Sequence, residues 1–194
     1  VPLSIFIIIF RAQCVRVILG SGNFDWQDTI TTFEILKYLA LSLFAQSLIP
    51  LFARAFFSLQ NTKTPLYIAL VSEAVHIALI PILLPLYAVE GLAIAFSLST
   101  LLNFSLLYFF LRRQLSVWDD VAIIMPVGKI LLASLLAGVV AQISKSVFAL
   151  TTNELDTFVE VFLQLLSGFA IGGGAFILFA YWLQIEELDR VRRF

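Results

Sequence analysis

The sequence predicts an all-α, polytopic transmembrane helix bundle of about six spans, and three observations predict it. Of 194 residues 61% are hydrophobic and only 13% charged, with a mean hydropathy of +1.01. Soluble domains average about 45–50% apolar and about 25% charged, so a water-facing globule could not hide this much apolar surface. Six stretches reach the roughly 20 apolar residues that a spanning helix needs. These runs lack the period-two alternation of a transmembrane barrel, which excludes strands. Nineteen Phe stand against one His, one Met and one Cys. That leaves little stock for metal clusters, redox pairs or imidazole catalysis, and Cys14 has no internal disulfide partner. No metal and no cofactor is expected. A net charge of −1 and a pI near 5.8 give no basic footprint for nucleic acid. The partner implied is lipid.

The spans fall at about 2–20, 32–57, 66–88, 91–111, 126–148 and 158–183. Gly20-Ser21-Gly22-Asn23 stops the first, and Asp28 or Thr29 is placed to cap the second. Asn61-Thr62-Lys63-Thr64-Pro65 separates the second from the third, with Pro65 suited to a first helical turn, where its missing N–H costs nothing. Pro81 is expected to kink the third span, a break tolerated in a bilayer where neighbours satisfy the freed carbonyl. Pro85 and Gly91 bracket a tight turn into the fourth. Asp119-Asp120 to Pro126 reads as the next loop, and Thr151 to Asp156 as the last.

Orientation follows from Lys and Arg near the span ends. Arg54, Lys63, Arg112, Arg113, Lys129, Arg190, Arg192 and Arg193 lie toward one face, and Arg11, Arg16, Lys37 and Lys145 toward the other. Eight against four places the first face, with both termini, in the cytoplasm. The start Val1-Pro2-Leu3 has no initiator Met and no basic n-region, so no signal peptide is read there. An apolar run from residue 1 reads as a chain cut inside or just before a helix. The whole, 1–194, is therefore taken as a single transmembrane lobe and a fragment of a longer membrane protein.

Ionisable groups at membrane depth are costly and functional by default. Arg54, about one turn from the cytoplasmic end of span two, either snorkels to the headgroups or faces inward to grip a phosphate with its planar fork. Glu73 and His76 share a helix face and could bond each other; they are coupling candidates or a local polar contact. Arg11 and Arg16 divide between snorkelling and lining a polar cavity, and Lys37 reads as a snorkeller. Gln46, Asn103, Gln142 and Gln164 read as interhelical hydrogen-bond glue, and Gly172-Gly173-Gly174 as close packing or a flexible point. No Ser/His/Asp set, HExxH, CxxC or Walker motif is present, so catalysis has no candidate residue and no enzyme is expected.

Three pieces then match one pattern. Ile18-Leu19-Gly20-Ser21-Gly22-Asn23-Phe24-Asp25 followed by Asp28-Thr29 resembles the LFG-x-G-x-F element of the lipid II flippases (MurJ, also called MviN). Arg54-Ala55-Phe56-Phe57-Ser58-Leu59-Gln60-Asn61-Thr62-Lys63-Thr64-Pro65 resembles that family's R-x-F-Y signature ending in D-T-K/R-T-P. Gly91-Leu92-Ala93-Ile94-Ala95, with Asn103 and Arg112-Arg113, is similar to its tenth helix. The matches cover about 18–113, in the family's order and spacing. On this resemblance the spans are helices seven to twelve of a fourteen-helix protein of the MOP exporter superfamily, whose two lobes form a V around a cationic cavity.

What the resemblance implies is transfer of lipid II, the undecaprenyl-pyrophosphate-linked peptidoglycan precursor, across the bacterial cytoplasmic membrane. A pyrophosphate-sugar head cannot cross about 30 Å of hydrocarbon unaided, and alternating access would give it a polar path. Arg54, Lys63, Arg11 and Arg16 become candidates for the pyrophosphate cavity, and Asn61, Thr62, Thr64 and Pro65 for the motif loop. The partners implied are lipid II or a related glycolipid, membrane lipids and an N-terminal lobe. The family's S-R-x-D segment reads Ser58-Leu59-Gln60-Asn61 here, so one cation of the expected cavity is missing and Arg54 is the nearest substitute. A sodium site among helices seven, eleven and twelve has no place, since spans five and six offer no carboxylate at depth beyond Glu160. The rivals are another MOP-type exporter of lipid-linked oligosaccharide or drugs, and a structural membrane protein with no transport path. A membrane enzyme of lipid-linked sugars is a weaker third.

Overall fold

The structure, a computed structural model, describes residues 1–19, 26–115, 120–151 and 158–183. They form six helices: α1 (Pro2–Ile9), α2 (Arg11–Leu19), α3 (Trp26–Ser58), α4 (Lys63–Gln114), α5 (Asp120–Thr151) and α6 (Phe158–Trp182). Among the described residues there is no strand. Four helices are long and apolar enough to cross a membrane, or five if α1 and α2 count as one bent span. The molecule is a multi-pass membrane protein.

α4 accounts for the sixth pass. A straight helix of its 52 residues would be about 78 Å long, more than twice the hydrocarbon core. The chain folds back instead at Ala88, whose φ of 47° and ψ of −133° are not helical. His76 and Phe96, twenty positions apart, have ring centroids 5.7 Å apart, and Ile68 packs with Leu107 and Leu111. The two arms, 63–87 and 89–114, are thus antiparallel. Their close approach needs Gly91: a Cβ there would lie 2.5 Å from the carbonyl oxygen of Leu83. Pro85 and Gly91 bracket the turn as expected, while Pro81 keeps helical dihedrals and the break falls seven residues later.

The chain divides into two compact units, Val1–Phe33 with Asp119–Phe194, and Glu34–Trp118. In the second, α3 packs on both arms of α4. Phe52 stacks on Phe104 at 5.5 Å, Phe44 meets the same ring edge-on at 5.8 Å, and Phe56 is fully buried between Ile68 and Leu107. The hydroxyl of Ser97 donates to the carbonyl of Tyr38 at 2.7 Å.

In the first unit, α5 lies along α6, with α1 against α5 and α2 against α6. Lipid is as apolar as Leu, so helices in a bilayer associate through close packing and interhelical hydrogen bonds rather than through exclusion of water. Small residues permit that here. Ala133, Ala137 and Ala141 recur every fourth position on α5 and are fully buried. A Cβ on Gly168 would sit 2.2 Å from the Phe10 ring, and one on Gly172 3.0 Å from Ala141. Gly172 therefore serves close packing as expected, whereas Gly173 and Gly174 face open space.

Several boundaries differ from the sequence expectations. The first span is not continuous: α1 and α2 meet at 73° around Phe10. Residues 3–19 contain no Pro or Gly to announce that break. It comes from tertiary packing, which buries Phe10 completely against Phe169 and Gly168. α3 starts at Trp26, so Asp28 lies in its first turn and Thr29 inside it, and neither is a cap. α5 starts at Asp120, so Pro126 belongs to the helix and not to a loop. Gly20–Asp25, most of the last loop and Arg190, Arg192 and Arg193 lie outside the described residues.

Candidate functional site

The connection between α3 and α4 is built by the residues of the second motif. Gln60 takes a left-handed φ of 55°, its N–H bonding the carbonyl of Phe57 at 3.0 Å while Asn61 N–H bonds that of Phe56, also at 3.0 Å. This pair of bonds is a Schellman ending, with Gln60 where glycine is usual. Asn61 then starts the next helix. Its Oδ1 accepts the N–H of Thr64 at 3.1 Å, and its Nδ2 donates to Thr64 Oγ1 at 2.8 Å and to Gln114 Oε1 at 3.0 Å. Asn61 and Thr64 therefore shape the chain, with Pro65 buried at the third position of α4 and Thr62 exposed before it. The Gln114 bond ties this connection to the far end of α4. Arg112 and Arg113 thus lie at the same end of the unit as Lys63.

Arg54 is exposed on α3, one turn before the helix ends, and Lys63 is exposed at the first position of α4. Beside Lys63 runs an open groove of about 510 Å³. α3 contributes Ile49, Ala53 and Phe57, a stripe of fourth positions. The first arm of α4 adds Pro65, Leu66 and Ala69, with Thr62 and Lys63 at the mouth, and the second arm adds Leu107 and Asn103. The groove is apolar along most of its wall and cationic at one end.

Glu73 and His76 are in contact, Nδ1 to Oε1 at 3.2 Å, so the two coupling candidates are one pair. His76 also turns its ring edge to Phe96, while the Glu73 side chain is 66% exposed. Lys37 pairs with Glu34 and lies 4.7 Å over the Tyr38 ring.

Arg11 and Arg16 belong to the other unit. Arg11 and Arg16 are half-buried on α2, and Arg11 stacks over Phe33 at 5.3 Å. Next to them is a polar cluster whose central member sequence reasoning treated only as an outer charge. Lys145 Nζ donates to the carbonyl of Ile9 at 3.0 Å. Ile9 ends α1, so its oxygen is freed by the break at Phe10. Gln13 Nε2 donates to Gln164 Oε1 at 3.1 Å, and Gln164 Nε2 donates to the carbonyl of Lys145 at 3.1 Å. A directed chain thus links α2, α6, α5 and α1. Gln164 is the interhelical glue expected of it. Gln46 bonds Ser42 of its own helix and Gln142 is exposed, so neither joins helices in that way.

A model of the lipid II flippase MurJ matches residues 1–182. The chain belongs to the lipid II flippase MurJ family. A probable lipid II flippase MurJ of Bdellovibrio bacteriovorus is 29% identical over 195 residues, covering 99% of this chain and 36% of its own length. That of Thermotoga maritima is 30% identical over 192 residues, covering 99% of this chain and 37% of its own. A solved structure, "Lipid II flippase MurJ, inward closed conformation", superposes with a TM-score of 0.74. It covers 97% of this chain and 36% of that one, at 22% identity. This likeness establishes the MurJ fold for the described helices. The chain spans a little over a third of the length of these relatives.

Proposed function

We propose that the chain forms one lobe of a transporter that moves lipid II from the inner to the outer leaflet of the bacterial cytoplasmic membrane, by alternating access against an N-terminal lobe. The family match over 1–182 carries this reading, because it extends well past the motifs and through the helices that match only in hydropathy. The chemistry required is physical and not covalent: a dianionic head must be lowered through hydrocarbon while its tail stays in lipid. The transporter is therefore no enzyme. Arg54 is assigned to the pyrophosphate, since a guanidinium fork matches two phosphoryl oxygens. Lys63, Arg11 and Arg16 are the further cationic candidates. Glu73 and His76 form the pair through which a proton could bias the cycle. The charge bias puts the 58–65 connection and the chain end in the cytoplasm.

The test is co-expression with the first six helices of the parent protein in cells depleted of their own flippase. Rescue is expected, and it is lost with Arg54→Ala although the variant remains in the membrane. Failure of the intact pair, with both halves stably inserted, overturns lipid II as the cargo.

A further inference from the structure

We infer that the groove between α3 and the two arms of α4 holds an acyl chain of an anionic glycerophospholipid of the same leaflet, with the lipid phosphate on Lys63. The wall formed by Ile49, Ala53, Phe57, Leu66, Ala69 and Leu107 offers hydrogen-bonding partners only toward its ends, at Thr62, Lys63 and Asn103. Phe57 and Leu66 are more than half exposed, so the groove opens laterally, and in a bilayer what lies against such a wall is hydrocarbon. At about 510 Å³ it is within the size range of a cavity that encloses a small ligand.

Charge selects the headgroup. Lys63 lines the groove itself, and Arg54, Arg112 and Arg113 stand at the same end of the unit. From Glu34 to Trp118 the only carboxylates are Glu34, Glu73 and Glu90. Glu73 is about 15 Å along the helix from Lys63, and Glu90 adjoins the turn at the opposite end. Among the described residues of this unit, a zwitterionic head finds no carboxylate at this end to hold its amine. An anionic phosphate meets Lys63 at the groove mouth, and the leaflet that the charge bias assigns to this end is the one rich in anionic lipid. The inference rests on that orientation and not on the identity of the cargo.

The full chain is reconstituted into phosphatidylethanolamine vesicles free of polyprenyl lipid, with trace spin-labelled phosphatidylglycerol or phosphatidylcholine. The motionally restricted fraction of each label is read by electron spin resonance. Phosphatidylglycerol is expected to be retained about fivefold more strongly, the effect of one interfacial cation. Lys63→Gln, an exposed change, removes the preference, and Ala69→Trp lowers the restricted fraction of both labels by filling the groove. Equal retention of the two lipids overturns the inference. So does a Lys129→Gln control that lowers the preference as much as Lys63→Gln, which would reduce the effect to general surface charge. Displacement of the phosphatidylglycerol label by undecaprenyl phosphate at equal mole fraction would assign the groove to a polyprenyl tail and overturn it as well.

Discussion

Breaking a membrane helix at Phe10 leaves a carbonyl that lipid cannot satisfy, and at Ile9 that carbonyl is met by the Lys145 ammonium. An unpaired carbonyl in hydrocarbon costs about 1–3 kcal/mol, and a charge-assisted bond is the stronger kind available to relieve it. Lys145→Met keeps the apolar stem and deletes the donor. It should lower the melting midpoint of the solubilised chain by several degrees, at about 2–4 °C per kcal/mol for a chain of this size. Lys145→Arg, which keeps a donor, should lower it less. An unchanged midpoint in Lys145→Met would mean that the amine snorkels and leaves Ile9 to another partner. This residue was illegible beforehand because its partner is a backbone atom 136 positions away, and a sequence marks backbone acceptors only where Pro or Gly announces them. Gln164, by contrast, was legible as glue, because an amide in an apolar helix has few other uses.

At the scale of elements, what could be foreseen depended on whether a local residue dictated the shape. The α3–α4 connection and the turn of α4 were readable, since Asn61, Pro65, Pro85 and Gly91 constrain the backbone wherever they occur. The bend between α1 and α2 was not, because it is imposed by Phe10 seated against the bare backbone of Gly168. The boundary of α5 is hidden for a related reason: Pro126 reads as a breaker, whereas a helix can carry Pro where neighbouring groups satisfy the freed carbonyl. The turn at Ala88 also carries an identifiable strain. Its φ of 47° is a conformation that glycine adopts freely and that costs an L residue energy. Ala88→Gly should therefore stabilise the folded chain by about 1 kcal/mol, read as a raised melting midpoint. Gly91→Ala should act in the opposite direction, because its Cβ would press on the backbone of Leu83, which has no rotamer with which to yield. If Ala88→Gly destabilises instead, the reversal lies elsewhere in α4.

For the molecule as a whole, the decisive quantity is the number of passes, since one reversal more or less inverts every site downstream. Composition fixed the environment, but length alone counts α4 once, and only the contacts between its arms make it two spans. Exposed Tyr67 and Tyr87 flank the first arm twenty positions apart, about 30 Å of helix, which is the spacing of the two interfacial aromatic belts. The loop at 58–65 and the end of α4 are joined by the bond from Asn61 to Gln114, so they must share a side, and the turn at Ala88 must lie on the other. Single cysteines in a Cys14→Ser background test this with a membrane-impermeant maleimide. Tyr87→Cys is expected to react in intact spheroplasts, and Gln60→Cys and Gln114→Cys only after the membrane is opened. Reaction of all three from one side would make α4 a re-entrant hairpin and leave the chain with four passes in place of six, with the side of Arg54 and Lys63 unchanged. Reaction of Gln60→Cys in intact cells with Tyr87→Cys protected would preserve the count and invert the charge-based orientation, which would remove the anionic leaflet from the groove beside Lys63.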